Sequence, residues 1–185
     1  MKAIFGGNFN PVHTGHLIQA IDALNLLSLE KILFIPAWKA PLKDNIVSAS
    51  FKDRYNMLKL ATSDIKAFEV LDLESKRKEI SYSYYTIKEL LKKEKELCLL
   101  IGEDQALNFT DWNKWQKILQ TIDIYVLKRS SNNIKYRKEL KPLNTRIIEI
   151  SSTEIRNKIK KGEPVDFLIP EKVLNYIKEH ELYMN

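Results

Sequence analysis

Residues 4–17 read IFGGNFNPVHTGHL. Ala3, Ile4 and Phe5 make a short apolar run that meets Gly6 and Gly7 at once. Asn8, Asn10 and Pro11 follow, and then His13 and His16, three apart, flank Gly15. The whole chain has 3 His and 5 Gly, so both residue types are concentrated here. An apolar run, a glycine turn and a helical pattern predict strand, loop and helix in succession. The double glycine is expected to let backbone amides approach a ligand and to take positive φ. The helix should begin near Thr14, where free N–H groups and the positive dipole end suit a phosphate. Both imidazoles would lie at that helix start, facing a crevice, with Gly15 keeping the surface open. A metal would want a third ligand, and the remaining histidine, His180, is far along the chain. A general base would want a carboxylate to orient it, and none is adjacent. Hydrogen bonding to phosphoryl oxygens as charge develops on them is the remaining role.

The pattern repeats outward from this stretch. Apolar runs at 31–36 (KILFIP), 67–73 (AFEVLDL), 96–102 (ELCLLIG), 121–129 (TIDIYVLKR) and 146–150 (RIIEI) read as strands. Between them, HTGHLIQAIDALNLL, SFKDRYNMLKLATSD and SYSYYTIKELLKKEK carry helical spacing, Ser50 being a plausible cap. STEIRNKIKKG and PEKVLNYIKEH read as closing helices, and 130–144 as an exposed loop with a short helix. Alternating strands and helices predict an α/β fold: one Rossmann-like domain over 1–185, with a mostly parallel sheet and helices on both faces. Such sheets bind ligands at the carboxyl ends of their strands. The elements at 150–183 would close the domain.

Composition excludes other classes. Of 185 residues, 44% are hydrophobic and 29% charged, which is ordinary for a globular protein. The single cysteine, Cys98, lies within LCLLI, which rules out a disulfide framework and a cysteine zinc site and suits a reducing, cytoplasmic setting. No run approaches the roughly 20 apolar residues of a membrane helix, and no leader is visible. Net charge is +6, but the lysines are interleaved with acids, as in KELLKKEKEL, and only six basic residues are arginines. That distribution argues against nucleic acid and fits a solvated face, or a mild pull on small anions.

A second candidate anion site follows RIIEI. In ISSTEIR (150–156), Ser151 can cap the next helix, Thr153 can donate to an anion, and Arg156 offers a two-donor fork suited to phosphate.

His13-Thr14-Gly15-His16 resembles the T/H-x-G-H signature of the nucleotidyltransferase superfamily. ISSTEIR is similar to its I-S-x-T-x-I-R element, which binds the β and γ phosphates of ATP. GGNFNPVHTGHL, DRYNMLKLA, ESKR, SYSYYTI, IGEDQALNFTDWNKW, ISSTEIR and IPEKVLNYIKEHELY together, over residues 3–183, resemble the bacterial nicotinate-nucleotide adenylyltransferases. The resemblance implies catalytic roles for His13 and His16. It implies ATP and phosphate contacts at Gly6, Gly7, Asn8, Asp104, Ser151, Thr153 and Arg156. For nicotinate mononucleotide it implies Asn10, Lys43, Ser83, Trp112 and Arg129, with Trp112 stacking on the pyridine ring and the 81–83 loop receiving the ring carboxylate. Ser83 stands where the family commonly has threonine, and Leu42 where it often has histidine. Mg²⁺ would arrive with ATP, no metal being held by the protein itself, and a homo-oligomer is compatible. Rival readings are an adenylyltransferase for nicotinamide mononucleotide or phosphopantetheine, and a noncatalytic nucleotide or nucleic-acid binder.

Overall fold

The computed structural model describes residues 1–39, 49–128 and 135–184. Six strands run β1 (Lys2–Gly7), β2 (Lys31–Pro36), β3 (Phe68–Val70), β4 (Leu97–Gly102), β5 (Asp123–Leu127) and β6 (Lys141–Leu143). They form one all-parallel sheet in the order β3-β2-β1-β4-β5-β6. The helices are α1 (Thr14–Leu26), α2 (Phe51–Thr62), α3 (Glu74–Arg77), α4 (Ser83–Leu90), α5 (Glu103–Leu107), α6 (Trp115–Thr121), α7 (Ser152–Lys160) and α8 (Glu171–Glu179).

The strand sequences read as continuous apolar runs because both faces are covered. Successive side chains point to opposite faces and fill two separate cores. Ala3, Phe5, Ile32, Phe34, Cys98 and Leu100 pack with Ala20, Ala23, Met57, Leu58, Ile155 and Val173, from α1, α2, α7 and α8. Ile4, Leu33, Ile35, Leu99 and Ile101 pack with Ile87, Leu90, Ala106 and Ile118, from α4, α5 and α6. Cys98 is fully buried, and burial pushes its thiol up to about 12. No helix among the described residues is long and apolar enough to cross a membrane.

The sixth strand is not where the sequence pattern put it. RIIEI (146–150) has no regular structure, and β6 comes instead from 141–143, inside the stretch read as a loop. Lys141, Pro142 and Leu143 pair with Tyr125, Val126 and Leu127 at the sheet edge, where a mid-strand proline is tolerated. The Arg146 N–H, which a strand would have given to the sheet, goes to Asp22 Oδ2 on α1 at 2.8 Å. Ile147 is left exposed.

β1 and β4 are neighbours, yet the chain leaves β1 toward β2 on one side and enters β5 on the other. This is the topological switch point, where adjacent strand ends diverge and open a crevice. Gly6-Gly7 ends β1 and Gly102 ends β4 at that crevice.

Candidate active site

Two cavities open at the switch point. One, about 250 Å³, is lined by Gly6, Gly7, Asn8, Asn10, His13, His16, Gln19, Gly102, Asp104, Gln105, Ser151, Ser152, Thr153 and Arg156, among others. The other, about 330 Å³, is lined by Gly6, Gly7, Asn8, Ile35, Ala37, Glu74, Ser81, Tyr82, Ser83, Asp104, Gln105, Trp112 and neighbours. Gly6, Gly7, Asn8, Asp104 and Gln105 belong to both, so the cavities are two compartments of one cleft.

In the first compartment the histidines cap each other. His13 is the N-cap of α1; its Nδ1 accepts the His16 N–H at 3.3 Å, and His16 Nδ1 accepts the His13 N–H at 3.3 Å. A ring nitrogen that accepts carries no proton, so the neutral tautomer of each ring has its N–H at Nε2. The rings stack with centroids 3.6 Å apart and 27° between planes, and both are buried. Phe9 meets the His16 ring edge-on at 5.1 Å.

This geometry corrects two expectations about the glycines. Neither Gly6 nor Gly7 needs a left-handed backbone; among the described glycines only Gly162 has positive φ, +69°. A Cβ at Gly7 would stand 3.0 Å from Phe9 Cζ, so any side chain there would have to shift the buried Phe9 ring. Gly15 does not keep a surface open. A Cβ there would meet the His13 Nδ1 and Ile148 Cγ2, each at 3.1 Å, so Gly15 lets the His13 ring and Ile148 pack closely over α1. The start of α1 is also less available than expected. The Thr14 N–H donates to Leu168 O at 2.9 Å and the His16 N–H is taken by His13, so the donors facing the cleft are chiefly the imidazole rings.

The second motif arrives on α7. Ser151 is the N-cap, accepting the Glu154 N–H at 3.1 Å, and Ser152 Oγ donates to Pro11 O at 2.9 Å. Arg156 lies one turn on, its Nη1–H donating to Asn10 O at 2.7 Å and Nη2–H to Thr153 Oγ1 at 3.1 Å. Thus ISSTEIR docks on the NFNPVH loop, and the two motifs share one wall.

Asn10, which the resemblance assigned to nicotinate mononucleotide, lines the cleft on the side of the histidines. It lies in the first compartment, 2% exposed, its Oδ1 accepting the Ala49 N–H at 3.2 Å and the Tyr183 O–H at 2.7 Å. That side chain holds the loop rather than reaching into the second compartment. Lys43 and Arg129 lie outside the described residues.

The second compartment gathers Ser83 and Trp112. Ser83 opens α4, whose N-terminus has no side-chain cap and lines the cavity. Not all of the 81–83 loop is available: the Ser81 N–H donates to Lys39 O at 3.0 Å, and the Tyr82 N–H to Ile80 O at 2.9 Å. Trp112 rests on the fully buried Phe109, ring centroids 5.3 Å apart. Its loop is fastened to α4 by Lys114, which donates to Tyr85 Oη at 2.8 Å and lies 4.5 Å from that ring's centroid. Asp104 sits in the first turn of α5 on the wall common to both compartments. Trp115 faces Phe109 and the Arg137 guanidinium, away from the cleft.

Residues the motif reading passed over are Gln105, which accepts the Gly102 N–H at 3.1 Å, and the buried Glu74, Arg54 and Tyr183. Spacing alone marks Arg54. It shares one helix face with Met57 and Leu58, three and four residues on, all buried.

The class follows from this fold and cleft: the model of the cytidylyltransferase-like family matches residues 4–158, which hold the mutual histidine cap and the α7 motif. Curated relatives narrow it. One from Methylacidiphilum infernorum, named "Probable nicotinate-nucleotide adenylyltransferase", is 41% identical over 98% of this chain and 91% of its own length. Another so named, from Hydrogenobaculum sp., is 39% identical over 98% and 97%. Within the cytidylyltransferase-like class, the chain belongs to the nicotinate-nucleotide adenylyltransferase family. The fold is shared with the Plasmodium falciparum nicotinic acid mononucleotide adenylyltransferase complexed with NaAD, at a TM-score of 0.77 and 21% identity, over 98% of this chain and 96% of that one.

Proposed function

We propose that this protein transfers the adenylyl group of ATP to nicotinate mononucleotide, giving deamido-NAD and pyrophosphate. A phosphate oxygen of the mononucleotide bonds to the α-phosphorus of ATP, and the bond from that phosphorus to the bridging oxygen of pyrophosphate breaks. The nucleophile belongs to the substrate, so the protein's work is positioning and charge stabilisation. The observation that carries the reading is one cleft with two unlike compartments meeting at Gly6, Gly7, Asn8 and Asp104.

On this reading the polar compartment takes ATP. Nε2–H of His13 and His16 would donate to the transferring phosphoryl oxygens, and Ser151, Thr153 and Arg156 would hold the leaving pyrophosphate. Asp104 would face the ribose hydroxyls. The second compartment takes the mononucleotide, with Trp112 beneath the cationic ring and the α4 N-terminus, with the Ser83 hydroxyl, at its carboxylate. Mg²⁺ would come as Mg-ATP, held by phosphates and water.

Pyrophosphate release from Mg-ATP, measured with nicotinate mononucleotide, nicotinamide mononucleotide and phosphopantetheine in turn, tests it. The acid mononucleotide should exceed the amide by at least about tenfold in kcat/KM. A carboxylate only accepts, whereas an amide turns an N–H₂ toward donors and leaves groups unpaired. Release with none of the three would refute adenylyl transfer; equal rates with the first two would refute the carboxylate pocket alone.

A further inference from the structure

DRYNMLKLA carries part of the family resemblance, yet no step above uses it. Its arginine is the unusual member. Arg54 is 3% exposed, on the sheet-facing side of α2. Its Nη1–H donates to Asn8 O at 2.8 Å, its Nη2–H to Ala37 O at 2.8 Å and its Nε–H to Ala49 O at 3.3 Å. One planar fork therefore ties together the turn after β1, the exit of β2 and the entry to α2. The Ala37 N–H in turn donates to Gly7 O at 2.9 Å, so the same fork braces the end of β1 from two sides.

All three acceptors are neutral carbonyls. Among the described residues no carboxylate forms an ion pair with Arg54, although Glu74 lies within reach of its field. A buried charge without an ion-pair partner is costly, and an arginine cannot escape the cost by losing its proton. Asn8 is common to both compartments and Ala37 lines the second. The unneutralised charge thus stands directly behind the wall that both phosphorylated substrates share.

We propose that Arg54 is the positioning residue of the cleft: its fork fixes the Asn8 peptide on the wall between the two substrates, and its charge is a buried counter-ion that arriving phosphates neutralise. The identity of the substrates rests on the adenylyl-transfer reading; the charge role does not.

Inorganic tripolyphosphate, titrated calorimetrically into the substrate-free protein at low salt, reads the charge. R54M should weaken its binding about tenfold or more, as expected when a weakly screened unit charge is removed. R54K keeps the charge without the fork. It should bind tripolyphosphate within about threefold of wild type, yet lose about tenfold or more in kcat at saturating Mg-ATP and nicotinate mononucleotide, since the Asn8 peptide is no longer held. An arginine that only supports the fold would lower the melting temperature of both variants while leaving binding and kcat at wild-type values well below melting, and that result overturns the proposal. Should R54M fail to fold, the split between binding and kcat in R54K decides: no split overturns it. If wild type releases no pyrophosphate from Mg-ATP but tripolyphosphate binding still falls in R54M, the charge role stands and the adenylyl-transfer reading is the one that fails.

Discussion

The two compartments of the cleft are built by different means. The phosphate compartment is built mainly from two short motifs, residues 6–16 and 151–156, each leading into a helix, with Gln19, Gly102, Asp104 and Gln105 completing the lining. The ring compartment draws short runs from many more places: the 6–8 turn, β2 and the turn after it, α3, the 81–83 entry to α4, β4, α5 and the 108–113 loop. On the adenylyl-transfer reading, the contrast reflects the ligands. Phosphate oxygens are met by donors at fixed offsets along one helix start, which local sequence can specify. A flat ring is met by an apolar slot, which exists only when distant elements pack. Variants in the first compartment should therefore damage chemistry, and variants in the second should damage acceptor binding.

The largest expected effect lies in the phosphate compartment. His16→Ala should lower kcat by about 10²–10³-fold in steady-state pyrophosphate release, as removal of one donor to a developing charge does elsewhere. Because His16 also caps the helix through its Nδ1, melting should show a stability loss of about 1 kcal/mol alongside. A rate loss no larger than that stability loss explains would reduce the histidine to a cap and erase the contrast. Next is Trp112→Ala, which should raise KM for both mononucleotides alike by about tenfold, leaving KM for ATP within about twofold, because stacking does not distinguish acid from amide. A rise confined to ATP would mean the compartments are assigned the wrong way round. Arg156→Lys keeps the charge but gives up the fork shared between Asn10 O and Thr153 Oγ1. It should raise KM for ATP by about fivefold with acceptor KM unchanged. The smallest effect is Tyr183→Phe, which removes one buried hydrogen bond to Asn10. It should cost about 1 kcal/mol in urea unfolding and little in turnover.

This difference also governs what could be read from sequence. The histidine motif, the α7 cap and the helix starts at Thr14 and Ser50 are local, and they fall where the pattern put them. The sixth strand is not local. RIIEI has good strand composition, but Asp22 captures the Arg146 amide and guanidinium, and a less apolar segment with a proline takes the sheet edge. The partners of Asn10 are not local either. Its neighbours along the chain suggest a ligand residue, whereas its partners, Ala49 and Tyr183, are contacts that only folding supplies. Arg54 was legible in part: its spacing with Met57 and Leu58 puts it on the buried face, but which carbonyls it would find there is not written in α2.

The distant ties of Asn10 set an order of events during synthesis. The lining of the ring compartment is complete once residue 113 has been made. The phosphate compartment waits for Arg156 and Tyr183, which grip Asn10 across 146 and 173 residues. On the adenylyl-transfer reading, a nascent chain thus contains every lining residue of the acceptor slot before it contains those meant for the triphosphate. The residues for the leaving pyrophosphate, Ser151, Thr153 and Arg156, are on that reading among the last of the cleft to be supplied.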